Sequence, residues 1–199
     1  MIVAKVGGSL FDWPGLPLAL HAWLGDTGAE RILLVPGGGA TADAIRGFDR
    51  TFQLGEATSH WLAIGTLSVN AQLLKALMPG AALIGQGAES PNWHGWRILD
   101  PLPFFQADEA NVDHLPHIWD VTSDALALRA AILCRAKELV LLKSTDTSFA
   151  RWQQASETDI VDRYFATAMQ SAPTSLGVRA VNLRRWHAEC LAESGPRVP

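Results

Sequence analysis

Cysteine is nearly missing from this chain. Its two copies, Cys134 and Cys190, stand far apart, and no CxxC pair or Cys/His cluster accompanies them. A disulfide framework is thereby excluded, a structural zinc has no obvious ligands, and each thiol is expected reduced, as a packing or surface residue. No metal ligands are assigned. Charge is sparse as well, at 18% of residues with a net of −4, so a basic nucleic-acid groove is not expected. No apolar run approaches the roughly 20 residues of a membrane span. The first strand begins at Ile2, which leaves no room for a signal or transit peptide, and a cytoplasmic protein is expected. Neither the GxxxxGK(S/T) spacing of a P-loop nor the GxGxxG of a dinucleotide fold occurs. Repeats and low-complexity tracts are absent too.

What is present is a globular composition. The 199 residues are 48% hydrophobic with eight tryptophans, enough to bury one sizeable core, and residues 1–199 are taken as a single domain. The organising stretch is the opening MIVAKVGGSL, an apolar run carrying Lys5 that breaks into Gly7, Gly8 and Ser9. A near-continuous apolar run reads as a buried parallel strand, and glycines at its carboxyl end let backbone N–H groups approach a phosphate unobstructed by Cβ. The same grammar recurs in RILLVPGGGATADAI, with a strand at 32–35, then Gly37, Gly38 and Gly39, then a helix opening near Thr41 whose N-terminal amides can face an anion. Two such turns on neighbouring strands would grip a polyphosphate from both sides.

Between and beyond these turns, helical periodicity covers 17–24 and a long, mostly buried segment opening at Thr58 or Ser59 as N-cap. AALIGQ predicts a short strand, WRILDPLPFF a strand breaking into a proline-rich turn, and NVDHLPHIWDV a loop around a brief extended piece. TSDALALRAAILCRA predicts an amphipathic helix and KELVLLK a buried strand. A helix at 160–169, a final strand at 178–182 and a frayed ESGPRVP terminus follow. Alternating strands and helices predict an α/β sandwich with a largely parallel sheet.

A third constellation is the polar turn 119–125, which opens the helix leading to Cys134. Thr122 or Ser123 capping that helix, with Asp124 opposing its dipole, is one reading. The other is that the turn faces the same anion, where a carboxylate is tolerable only if it holds cations, so Asp124 would orient Lys5, Lys143 or a magnesium ion. Lys143 ends its strand at the carboxyl edge of the sheet, where ligands bind in open α/β folds.

KVGGSL, VPGGGATAD and TSDALALRAA, in this order and spacing, resemble the amino acid kinase superfamily over most of the chain. The resemblance implies a three-layer α/β/α sandwich that phosphorylates carboxylates, carbamate or phosphates with ATP and Mg2+. It also implies Lys5 and Lys143 as phosphate-bridging lysines organised by Asp124, with Gly7, Gly8, Ser9, Gly38 and Gly39 in the phosphate turns. The proline of VPGGG, SHWLAI and HIWDVTSDALAL are similar to the kinases of methanofuran biosynthesis, which convert an aminomethyl-furan-methyl phosphate to its diphosphate. That resemblance implies acceptor contacts from Gly37, Ser59, His60, Thr122 and Ser123. The run after Lys143, Ser144-Thr145-Asp146-Thr147-Ser148-Phe149, departs from the family's Asp-Val-Asp-Gly-Ile-Tyr-like pattern, although Ser144 and Asp146 remain the nucleotide-side candidates. DIVDRYF is similar to the family's later Val-Asp-x-x-Phe element.

Three functional readings stay open: a kinase of a small phosphorylated acceptor, a kinase of another phosphate or carboxylate, and a non-catalytic binding or regulatory subunit. A chain this small with an apolar helix near Trp61 is expected to bury that surface in a homodimer.

Overall fold

The structure, a computed structural model, describes residues 1–193. Six strands form its sheet: β1 (Ile2–Val6), β2 (Arg31–Pro36), β3 (Ala82–Ile84), β4 (Gly95–Leu99), β5 (Glu138–Lys143) and β6 (Gly177–Asn182). The order across the sheet is β3-β4-β2-β1-β5-β6, and every neighbouring pair is parallel. The central strands β1, β2 and β5 are buried over nearly their whole length, as expected where helices cover both faces.

Strand alternation divides the core. Val3, Leu33, Leu139 and Leu141 point to one face, where they pack with α4 (Pro101–Asp108), α5 (Ser123–Leu133), α6 (Trp152–Glu157) and α7 (Phe165–Ala168). Ala4, Val6, Leu34, Val140 and Leu142 point to the other and pack with α1 (Leu16–Asp26) and α8 (Leu183–Glu193). The long α3 (Glu56–Leu77) joins both clusters, with Ile64 and Leu67 in the first and Ala71 and Leu74 in the second. Each fully buried leucine here contributes about 1.5–3 kcal/mol. The arrangement is the expected three-layer sandwich.

Several local expectations are corrected. The long helix starts at Glu56 rather than at a Thr58 or Ser59 cap. Gly55 precedes it with φ of 81°, and its N–H donates to Asp49 Oδ1 at 3.1 Å. The proline-rich turn after β4 is instead α4, because Pro101 occupies the first helical position, where no N–H is needed. Ser68 Oγ bonds to Asp100, the N-cap residue of α4, and accepts from Leu102 N at 2.9 Å. The helix expected at 160–169 survives only as α7 and a following 3-10 turn at Met169–Ser171, because Asp162 is drawn aside to another helix. No strand forms within 111–121, and α6 and α8 were not foreseen. The ESGPRVP stretch lies, beyond Glu193, outside the described residues.

The two glycine turns interlock. Gly7 N donates to Leu142 O and Gly37 N to Val6 O, both at 2.8 Å, so these amides extend the sheet pattern rather than face solvent. Beyond them the turns meet backbone to backbone: a Cβ on Gly8 would lie 2.7 Å from Gly39 Cα. Gly39 itself sits at φ of 55°, in the region that L side chains rarely adopt, and leads into α2 (Ala40–Phe52). Buried Asn70 of α3 braces the second turn from behind, its Nδ2 lying 2.7 Å from both Gly37 O and Gly38 O and 2.9 Å from Thr41 Oγ1. Gly8→Ala is expected to lower unfolding free energy by about 1–3 kcal/mol, since backbone on each side must yield. Urea unfolding checks this, and an unchanged midpoint would refute the interlock.

Candidate phosphate-handling site

Lys5 and Lys143 stand on adjacent parallel strands, and strand parity sends them the same way. Lys5 pairs in register with Leu141, two residues before Lys143, so both share the face of Val3, Leu139 and Leu141. On that face the first turn of α5 brings Asp124 over the strand ends. Lys5 Nζ lies 3.0 Å from Asp124 Oδ1, and Lys143 Nζ donates to both carboxylate oxygens at 2.9 Å. Lys5 and Asp124 are buried, and Lys143 is largely so, its side chain 13% exposed. Burial pushes the Asp124 carboxyl up, but the Lys5 and Lys143 charges outweigh it and bring it down to about 2. Burial, aided by the Lys5 ammonium, lowers Lys143 to about 8 despite Asp124. Two cations and one anion leave a net positive site without bulk water to screen it, the condition under which a phosphate is attracted most strongly.

Asp124 is free for the lysines because another carboxylate caps its helix. Asp162 Oδ2 accepts from Thr122 N at 3.1 Å, Thr122 Oγ1 at 3.0 Å and Ala125 N at 2.8 Å. Neither Thr122 nor Ser123 makes a side-chain cap bond of its own. Burial and the nearby Asp124 charge raise Asp162 to about 6.

Beside this bridge opens a cavity of about 220 Å³, walled by Gly8, Ser9, Gly38 and Gly39 on one side and His60, Trp119 and Thr122 on the other. Arg46 of α2 enters the wall, paired with Asp43 at 2.7 Å. Its guanidinium lies 5.1 Å from the Trp119 ring centroid, and Trp119 Nε1 donates to Asp49 Oδ2 at 2.8 Å. A more polar groove of about 430 Å³ lies against Asp124, Lys143, Asp162 and Arg163, with Arg46 shared between the two.

The whole sheet and its covering helices match solved kinases. Uridylate kinase from Archaeoglobus fulgidus superposes with a TM-score of 0.62 at 15% identity, covering 94% of this chain and 93% of that one. UMP kinase from Bacillus anthracis gives 0.64 at 13% identity, covering 96% and 91%. The fold is that of the amino acid kinases. In sequence, a (5-(aminomethyl)furan-3-yl)methyl phosphate kinase from Methanocaldococcus jannaschii is 23% identical over 165 residues, which span 81% of this chain and 74% of that protein. No family model matches the chain.

Within the amino acid kinase fold, the residues singled out in the sequence fall in several places. Lys5, Asp124 and Lys143 form the bridge. Gly8, Ser9, Gly38, Gly39, His60, Thr122 and Ser123 line the cavity. Gly7, Gly37 and Ser59 lie outside its wall, the first two at the strand ends and Ser59 fully buried in α3. Ser144 reaches Ser9 across the strand edge, Oγ to Oγ at 2.7 Å. Asp146 accepts from Asn182 Nδ2 at the end of β6 at 3.0 Å and lies 3.6 Å from Arg185 of α8, in an exposed groove apart from the bridge. Arg46, Asn70 and Asp162 were not singled out. Asn70 had a signal, a lone amide in an apolar helical stretch, and Asp162 had one as the acid of the Val-Asp-x-x-Phe-like run DIVDRYF; Arg46 had none beyond ordinary helix polarity.

Asp124→Asn removes the shared countercharge and leaves two buried ammonium groups facing each other. The expected loss is about 3–5 kcal/mol of unfolding free energy at pH 7. Burial holds Lys143 at about 8 in the fold, below the ordinary lysine value of 10.5, so the folded protein sheds this proton first and stability recovers as pH rises through that window. Chemical unfolding at pH 7 and pH 9 tests this: the deficit of the variant must shrink at pH 9.

Proposed function

We propose that this chain is an ATP-dependent kinase of a small phosphorylated acceptor, and that the acceptor is an aminomethyl-furan-methyl phosphate converted to its diphosphate in methanofuran-type one-carbon cofactor biosynthesis. The observation that carries the kinase reading is the pair of buried lysines held by one buried carboxylate at the mouth of two interlocked glycine turns. Transfer between two phosphates brings polyanions together, so positioning and charge neutralisation dominate and no strong base is required. In this reading an acceptor phosphate oxygen attacks the γ-phosphorus as the bond to the β,γ-bridging oxygen breaks, and ADP leaves. Lys5 and Lys143 hold the oxygens that gain charge. Asp124 keeps both ammonium groups from relaxing into solvent. The acceptor occupies the cavity, its phosphate near Arg46 and the Gly38–Gly39 amides and its ring against His60 and Trp119. The donor phosphates run over Gly8, Ser9 and Lys143 toward Ser144.

The cationic bridge and open turns suit a triphosphate. Asp124 is committed to lysines, so Mg2+ would arrive held by the donor's own phosphates and water, where it neutralises β and γ charge. The activity of the Methanocaldococcus jannaschii relative supports the furan acceptor, and the cavity of about 220 Å³ has room for a small ring.

An ADP-release assay with Mg-ATP and a panel of phosphorylated acceptors including the furan tests the reading. Turnover is expected with the furan phosphate, and Lys5→Ala is expected to lower kcat by at least about a hundredfold with the fold intact. Wild-type kcat should fall above about pH 8 as Lys143 loses its proton, and Lys143→Arg, which stays charged, should move that limb upward. With its base-side run 144–149 rebuilt, the chain should bind ATP and GTP within about tenfold of one another. Absence of Mg-ATP binding in titration calorimetry would instead favour a non-catalytic subunit.

We also propose a homodimer through α2 and α3. Leu62, Val69, Leu73 and Leu77 form an exposed stripe on α3, with Val69 60% exposed, beside Phe48 and Phe52 of α2, the latter 67% exposed. Apolar side chains exposed in this number on two packed helices favour an interface. Light scattering is expected to give twice the monomer mass at micromolar concentration and the monomer mass for Val69→Lys. A monomeric wild type would overturn the proposal.

A further inference from the structure

The segment between α4 and α5 carries a second cluster of chemistry-bearing side chains that the phosphate site does not use. Glu109, His114 and His117 come from nine residues of chain, and one donor atom from each lies within 4.8 Å of the other two. Glu109 Oε1 is 3.0 Å from His117 Nε2 and 3.7 Å from His114 Nδ1, so a single carboxylate oxygen draws in both imidazoles. The rings of His114 and His117 stack with centroids 5.5 Å apart. A hydrogen-bonded His–Glu pair would account for His117 alone. It leaves unexplained why a second imidazole converges on the same oxygen.

The segment is held in this shape from below. Arg129 of α5, itself buried, donates to Asp108 Oδ2 and Oδ1 at 2.8 and 2.6 Å and to Asp113 Oδ2 and Oδ1 at 2.9 and 3.0 Å. That double fork fixes the chain immediately before Glu109 and immediately before His114, a preorganisation that three surface ligands seldom have.

We propose that Glu109, His114 and His117 form a divalent-cation site of the zinc class. Two imidazoles and one carboxylate are a borderline-soft set that suits Zn2+ and its neighbours rather than Mg2+ or Ca2+, which select oxygen. Three protein ligands leave one tetrahedral position for water. His114 Nδ1 also lies 3.0 Å from the Leu115 carbonyl oxygen, and capture of the ion exchanges that contact for a coordinate bond. The site is separate from the Mg-ATP chemistry but mechanically joined to the cavity. The His117 ring stacks on His60 at 5.2 Å and meets Trp61 edge-on at 5.2 Å, and His60 is part of the cavity wall. The same segment continues to Trp119, Val121 and Thr122 on that wall. Ion binding therefore staples the 109–121 segment against α3 and stiffens one side of the acceptor cavity. No ligand of the proposed site belongs to the lysine bridge.

The test uses full-length, tag-free protein stripped with chelator. Titration calorimetry with Zn2+ is expected to give one equivalent, a rise in Tm, and no comparable response to Mg2+. Cobalt substitution is expected to give the intense visible bands of a four-coordinate ion. His114→Ala and the conservative Glu109→Gln should each weaken Zn2+ at least about tenfold while leaving the Tm of the metal-free protein unchanged. Zn2+ binding that is equally tight in both variants, or absent in the wild type, overturns the proposal. Calorimetric binding of Mg-ATP by the stripped protein reports on the kinase reading separately, and is expected unchanged in both variants.

Discussion

One carboxylate between two ammonium groups sets the terms for the rest of this protein. Asp124, Lys5 and Lys143 are buried where an unpaired charge is very costly, and the cost is tolerable only while all three stay within hydrogen-bond reach. Three elements must therefore hold register at once. Strands β1 and β5 must pair so that the two lysines share a face, and α5 must begin where Asp124 meets them. The capping of α5 by Asp162, 37 residues away from its Ala125 partner in sequence, follows from the same demand: a helix whose first-turn acid is already engaged needs its amides satisfied by another group.

The glycine turns show a related economy. Their lack of Cβ serves first to let the two turns touch, Gly8 against Gly39, and only then to open the cavity wall. A phosphate cradle and a tight strand-end junction are thus the same backbone, and the Asn70 amide that fastens the second turn ties both to α3. The cavity is bounded by elements that each answer to something else: α2 carries Arg46, α3 carries His60, and the segment before α5 carries Trp119. No described helix is long and apolar enough to cross a membrane, although α3 has the length, with 22 residues.

The chemistry of the bridge was legible in the sequence as far as residue type and spacing reach. KVGGS, GGG, TSD and a strand-final lysine imply cations and amides at one sheet edge, because parallel strands bring their carboxyl ends together. The departures came where a residue's role is set by a distant partner. Thr122 and Ser123 read as caps locally, yet Asp162 does the capping. DPLPFF read as a turn from its prolines, yet both sit in the first turn of α4, where a missing N–H costs nothing.

Strand and helix alternation, the two glycine turns and the identities of Lys5, Asp124 and Lys143 were thus determined by the sequence alone, since periodicity and backbone freedom act over a few residues. The tertiary structure decided which carboxylate holds lysines and which caps a helix. It decided that Arg46 and Trp119 wall the cavity, and that Glu109, His114 and His117 converge above Arg129. These outcomes depend on strand order, register and the fixed path of an irregular segment. Each is a sum of contacts between residues far apart in the chain, and local propensity carries no record of them.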